Sequence, residues 1–284
     1  MLKQYYAVTK PGIIRGNLIT AAAGFFLASR AEVDWLLLTA TLAGLALIIA
    51  SACVFNNYLD RDIDAKMART KKRALVTGKI SPKTALAYAS GLEILGALIL
   101  ARFSTNWALY AALAGFLFYV LVYGVSKRST AWATVIGSVP GATPPVVGYS
   151  AVTDRLDGEA LLLFLILILW QIPHFYAIAI FRMKEYAAAK VPVLPIKIGV
   201  AATKRQILAF VALFTMAALS LALLDYTGPF YAAGIALVGG LWLCHGFFSY
   251  PPTDDIKWAR GMFNTSLVVI SAWSLLIILD SWLS

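Results

Sequence analysis

Apolar residues in this chain come in long unbroken runs, not alternating ones. The runs lie at about 13–29, 35–57, 83–101, 106–124, 131–149, 159–180, 206–224, 229–248 and 260–279, with short polar stretches between them. A helix that crosses a bilayer needs roughly 17–25 predominantly apolar residues. A membrane β-strand would alternate instead. The pattern predicts an all-α, polytopic membrane protein, with about nine transmembrane helices in one bundle around a central cavity. The nine runs leave few residues over, so 1–284 reads as a single transmembrane domain. The fifth run carries Gly137, Pro140, Gly141, Pro144, Pro145 and Gly148 and must be broken or kinked. Such a helix is tolerated where its neighbours satisfy the freed backbone groups.

Two of the runs end in dense polar clusters. After the second comes NNYLDRDIDAKMARTKKR, residues 56–73. Asn56, Asp60 and Asp64 are spaced four apart, so a continuous helix stacks them on one face, about 6 Å apart along its axis. Asp62 points about 200° away from Asp60. An all-oxygen face without His or Cys suits a hard cation such as Mg2+. Mg2+ takes one or two carboxylates and completes its shell with waters and phosphate oxygens. Lys66, Arg69 and Arg73 are placed to meet such phosphates, whereas Lys71 and Lys72 read as a cytoplasmic anchor. A diphosphate held at the rim of an apolar bundle points to a prenyl diphosphate.

The sixth run ends in WQIPHFYAIAIFRMKEYAAAKVPVLP, residues 170–195. Arg182 and Lys184 are further phosphate candidates, and Glu185 is a candidate second metal ligand or the salt-bridge partner of a neighbouring cation. His174 follows the helix-breaking Pro173. It stands open between a hydrogen bond to a backbone carbonyl, ligation of haem iron, and acid–base work. Lys10, Arg15 and Asn17 at the start of the first run, and Lys127 and Arg128 after the fourth, complete the polar candidates. The first group also makes that run a retained helix, not a cleaved leader.

Composition agrees with this reading. The chain is 61% hydrophobic and 13% charged, with a net charge of +10, where a soluble domain is about 25% charged. Of the 24 Lys and Arg, all but Arg30, Arg102 and Arg155 fall on one side of the predicted spans. Positive-inside then puts the N-terminus in the cytoplasm and the C-terminus across the membrane. The basic excess is a membrane signature, with no call for nucleic acid. Cys53 and Cys244 both lie in apolar runs and read as two buried thiols.

Four segments carry a family resemblance: TKPGII at 9–14, SACVFNNYLDRDIDAKMART at 51–70, GSVPGATPPVVGY at 137–149, and 170–195 above. Together they cover the polar parts of a chain that resembles the intramembrane aromatic prenyltransferase superfamily, and its haem-modifying branch in particular. The N-x-x-x-D-x-x-x-D pattern falls on Asn56, Asp60 and Asp64, and the P-H-F form on Pro173, His174 and Phe175. Glu185 stands where Asp is common. The resemblance implies Mg2+-dependent transfer of a farnesyl group from farnesyl diphosphate to the 2-vinyl group of haem B, with addition of water. Haem B is then a substrate, not a cofactor. It also implies a cell inner membrane location and, as recipients of the product, a haem A synthase or a terminal oxidase. A quinone precursor or a chlorin is the rival acceptor. A transporter or a membrane haem carrier is the rival class, but charges gathered at one face argue against the first, and the Asn-Asp-Asp face against the second.

Overall fold

A computed structural model describes residues 2–248 and 254–283. Met1 and Ser284, the ends to which the predicted orientation refers, lie outside the described residues. The described residues form helices in the order α1 (Leu2–Val8), α2 (Pro11–Ser29), α3 (Trp35–Leu59), α4 (Arg61–Asp64), α5 (Pro82–Phe103) and α6 (Asn106–Leu117). A π-helical stretch, Phe118–Tyr123, leads into α7 (Gly124–Ser129). Then come α8 (Ala133–Gly141), α9 (Thr143–Thr153), α10 (Gly158–Phe181), α11 (Met183–Ala188), α12 (Leu194–Ile198), α13 (Val200–Leu223), α14 (Pro229–Phe248) and α15 (Asp255–Asp280). Among the described residues, eight continuous helices are long and apolar enough to cross a membrane, with Asn106–Ser129 counted as one. The protein is a multi-pass membrane protein.

The predicted span absent from these eight is the fifth, the broken one. Residues 131–149 form α8 and α9, which meet at Ala142. The break follows from the prolines and is repaired by neighbours. Pro144 has no N–H to give to the Pro140 carbonyl, and the Thr143 hydroxyl donates to it instead at 2.9 Å. The Ala142 N–H turns to Val139 and Pro140, away from Ser138. Gln171 of α10 supplies the missing donor, its Nε2 reaching the Ser138 carbonyl at 3.0 Å and that of Leu167 at 2.9 Å. Gly24 and Gly148 let α2 and α9 lie backbone to backbone. A Cβ on Gly24 would strike the Pro145 carbonyl, and one on Gly148 the Ala21 carbonyl. Such close approach of small residues is how membrane helices associate.

Helix starts carry their own caps. Asp34, Ser81, Thr105, Asp157 and Asp254 each accept from a backbone N–H three residues on. One buried cluster joins α10, α13, α14 and α15 around Tyr176, Phe214, Trp242 and Trp273. A second joins α2, α3, α5, α6 and α9 around Phe25, Leu45, Ile48 and Leu100. A third is smaller and matters most for function. Val8, Val54, Ala74, Leu75, Ile80 and Ala89 pack together and pin the 65–81 loop over the end of α3.

Two expectations need correction. Pro173 does not break its helix, because α10 runs unbroken from Gly158 to Phe181. Only one thiol is buried: Cys53 is, whereas Cys244 lies on an exposed face of α14.

The repair of the broken span is testable. Gln171→Leu strips the buried Ser138 carbonyl of its donor, a loss of about 1–3 kcal/mol. The thermal midpoint of the detergent-purified protein should fall. An unchanged midpoint would mean that the carbonyl finds another donor.

Candidate active site

The first polar cluster sits where α3 runs out. Asp60 leaves helical geometry at φ −92° and ψ 6°, so α3 ends at Leu59 and a separate turn, α4, follows. The continuous helix expected here is therefore interrupted. Its hydrogen bonds nevertheless carry through, from the Asp60 N–H to the Asn56 carbonyl at 3.0 Å and from the Asp64 N–H to the Asp60 carbonyl at 2.7 Å. Helical phase is kept across the bend, and Asn56 and Asp64 are both buried.

Each polar member of this face has a cation on it. Lys10 Nζ donates to Asn56 Oδ1 at 2.7 Å. Lys127 Nζ donates to Asp60 Oδ2 at 2.7 Å and lies 2.6 Å from Oδ1, which is buried and accepts no hydrogen bond. Arg73 Nη1 lies 2.6 Å from Asp64 Oδ2. Lys10 is in the left-handed conformation, φ 54°, at the start of α2, which turns its side chain back toward α3. Its burial pushes the ammonium below its ordinary value, while Asp60 and Asp64 pull it up. The neighbouring Asn57 fixes the approach of α1, its Nδ2 donating to the Val8 carbonyl at 2.7 Å.

Lys127 arrives by an unusual route. The π-helical turns of Phe118–Tyr123 stack Tyr119 on Tyr123, with centroids 5.4 Å apart, and Lys127 Nζ lies 5.3 Å from the Tyr123 ring. Wide turns of this kind recur at functional sites. Arg128 faces outward and forks onto Asp62, with both bonds at 2.8 Å, and also donates to the Leu59 carbonyl at 2.6 Å. Asp62 is thus the residue turned away from the face.

Arg69, exposed on the 65–81 loop, lies within electrostatic reach of both clusters: desolvation holds its guanidinium below its ordinary value, as do Arg182 and Arg73, with Tyr186 and Glu185 opposing them. Arg182 Nη1 is 3.3 Å from Glu185 Oε1. Glu185 Oε2 is buried with no hydrogen-bond partner. Burial raises the Tyr186 phenol, and Arg69 and Arg182 lower it. The remaining candidates stand further out. Lys66, Lys184 and Arg15 are exposed, and Asn17 gives its amide to the Ile13 carbonyl of its own helix.

His174 sits deeper in α10, buried against α15. Its hydrogen-bond partner is a hydroxyl and not a backbone carbonyl: Nδ1 lies 2.6 Å from Ser266 Oγ. That hydroxyl gives its proton to the Phe263 carbonyl, also at 2.6 Å. Ser266 must then accept, so His174 carries its proton on Nδ1 and presents the Nε2 lone pair. Trp170 stacks on the imidazole at 4.9 Å, and Phe263 lies at 4.8 Å.

A match to the family model described as the UbiA prenyltransferase family spans residues 17–268. The chain belongs to that family. Curated UbiA-family relatives include the protoheme IX farnesyltransferase of Sodalis glossinidius (strain morsitans), 49% identical over 282 residues, covering 99% of this chain and 95% of that one. Among solved structures, a digeranylgeranylglyceryl phosphate synthase shares the fold at a TM-score of 0.81 and 21% identity, covering 100% of this chain and 99% of that one. A UbiA homologue from Archaeoglobus fulgidus bound to GPP and Mg2+ matches at a TM-score of 0.67 and 17% identity, covering 97% and 99%.

Among the described residues, no three His, Cys, Asp or Glu side chains converge as a ready-made metal cage. Mg2+ does not require one, since substrate phosphates and waters fill most of its shell. The oxygens of Asn56, Asp60 and Asp64 are the hard donors it prefers, Asp60 Oδ1 being buried without a hydrogen bond, and Glu185 Oε2 is a second such oxygen in the other cluster. The donor set fits.

The sequence alone does not mark Asn57, Ser266 or Gln171 as site residues. The one signal each carries is a polar side chain within or at the end of an apolar helix.

The Asp62–Arg128 fork makes a pH prediction. Its hydrogen bonds hold the Asp62 carboxyl down to about 2. A depressed carboxylate stabilises the fold fully above its unfolded pKa, about 3.9, and loses that contribution as pH falls through the folded value. The pair is largely exposed, so the effect is small. Asp62→Asn should remove the component of stability that wild type loses between about pH 4 and 2. Superimposable stability profiles in that window would refute the assignment.

Proposed function

We propose that this chain transfers the farnesyl group of farnesyl diphosphate to the 2-vinyl group of haem B, giving haem O and diphosphate. The observation that carries the reading is one oxygen face at the end of an apolar helix, Asn56, Asp60 and Asp64, with Lys10, Lys127 and Arg73 drawn onto it from three other parts of the chain. Near-full-length similarity to protoheme IX farnesyltransferases supports the choice of acceptor. Residues 1–284 act as one prenyltransferase domain in the cell inner membrane, with both polar rims and the N-terminus cytoplasmic and the C-terminus on the other side. Haem O passes on to a haem A synthase or a terminal oxidase.

The site's own residues account for the chemistry. Lys10, Arg69, Arg73, Lys127 and Arg182 receive the diphosphate, with Lys66, Arg128 and Lys184 at the outer rim. As the allylic C–O bond breaks, these cations take up the charge building on the leaving group. Asn56, Asp60, Asp64 and Glu185 would hold Mg2+, which when bound adds charge neutralisation and orients the diphosphate. The π faces of Tyr119 and Tyr123 flank the rim where positive charge develops. The vinyl π bond attacks farnesyl C1, so no strong base is needed. Water adds to the cation left beside the porphyrin and releases one proton. His174 presents Nε2 to haem, as iron ligand or as the group that orients the ring.

Expressing the chain in a host that lacks haem O, and analysing extracted haems by mass, tests the reading. Haem heavier by one farnesyl group and one hydroxyl group is expected. Haem B alone, with both substrates supplied, would refute it. In the same assay Asp60→Asn and Asp64→Asn should lower product by at least about 10²–10³-fold, and Asp62→Asn far less. Equal losses from all three would dismantle the argument for the face. His174→Ala should stop product while sparing binding of a non-hydrolysable farnesyl diphosphate analogue.

A further inference from the structure

Every oxygen group proposed for the metal is already engaged by a cation. Asn56 has Lys10 at 2.7 Å, Asp60 has Lys127 at 2.6 Å, Asp64 has Arg73 at 2.6 Å, and Glu185 has Arg182 at 3.3 Å. The four cations come from four places: the start of α2, α7, the 65–81 loop, and the α10–α11 junction. Burial explains the need for them. Side-chain exposure is 6% for Asp64, 14% for Asp60 and 10% for Lys127. Carboxylates this deep are costly to leave unpaired.

The same cations are the ones with the charge and reach to hold a diphosphate. The donor that Lys127 gives to Asp60 Oδ2 cannot at the same time serve a phosphate oxygen. From this we infer that these cations are place-holders. Lys127, Arg73 and Arg182 neutralise the carboxylates, and Lys10 occupies the neutral Asn56 amide oxygen, before substrate arrives; all four then transfer to diphosphate oxygens as Mg2+ takes their partners. The inference rests on the prenyl diphosphate reading above. No covalent bond changes: ion pairs within the protein are exchanged for carboxylate–metal and cation–phosphate pairs.

The consequence is thermodynamic coupling. Mg2+ alone must push ammonium and guanidinium groups off buried carboxylates, with no anion to receive them. Diphosphate alone must strip those carboxylates of their partners. Arriving together, each ligand supplies what the other displaces. The coupling is reciprocal, because it is one free energy seen from two sides.

Calorimetry on the full chain in detergent micelles, with MgCl2 and inorganic diphosphate as probes, tests this. Each probe should bind roughly 5- to 150-fold more tightly in the presence of the other. Lys127→Met should tighten Mg2+ binding without diphosphate and shrink the coupling. Arg73→Met should do the same through Asp64, so one variant's failure to fold does not end the test. Lys72→Met removes an equal charge from an exposed lysine of the same loop and should keep wild-type coupling. If Lys72→Met tightens Mg2+ as much as Lys127→Met does, the effect is net charge and the place-holder proposal falls. Equal Mg2+ affinity with and without diphosphate overturns the proposal and leaves the prenyl diphosphate reading standing. No binding of the two together overturns both.

Discussion

A carboxylate at the edge of a bilayer cannot stand alone, and the ion pair between Asp60 and Lys127 is where this chain meets that constraint. Breaking such a pair by removing one partner costs about 3–5 kcal/mol. The architecture around it follows. Helix α3 carries Asp60 out of the apolar layer and bends there. The π-helical turns before α7 bring Lys127 across, from a helix that would otherwise pass by. The small cluster of Val8, Val54, Leu75 and Ile80 holds the 65–81 loop so that Arg73 reaches Asp64 in the same way.

The same accounting governs the apolar layer. With no water to bond, each backbone group freed by a proline must find a protein donor or acceptor. Thr143 and Gln171 serve the broken fifth span, and in doing so tie α8 to α10. Ser266 settles the tautomer of His174 by passing its own proton to Phe263. Structural repair and site chemistry thus use one currency, and the helices that satisfy each other's backbones also set the positions of the polar rims.

Much of this was legible in the sequence, because long apolar runs and four-residue spacing are local properties. The nine runs correspond to eight continuous spans and one broken pair, and the break lies where Pro140, Pro144 and Pro145 require it. The stacking of Asn56, Asp60 and Asp64 could be read as helical phase and survives the bend at Asp60. What could not be read were the pairings. Lys10 meets Asn56 and Lys127 meets Asp60 across 46 and 67 residues, and spacing carries no information over such distances. The π-helical turn was equally hidden, since FYVLVY continues an ordinary apolar helix in composition. Pro173 shows the converse: a local breaker signal through which α10 runs on unbroken.

The central claim is that one metal ion joins the oxygen face of α3 and α4 to the diphosphate. Electron–nuclear double resonance with Mn2+ in place of Mg2+, diphosphate bound, and 13C-carboxyl-labelled aspartate in the protein addresses it directly. The account predicts phosphorus and aspartate carbon couplings on the same ion, with the carbon couplings diminished in Asp60→Asn and in Asp64→Asn. An ion coupled to diphosphate alone, with its remaining positions filled by water and its spectrum unchanged in both variants, would contradict it.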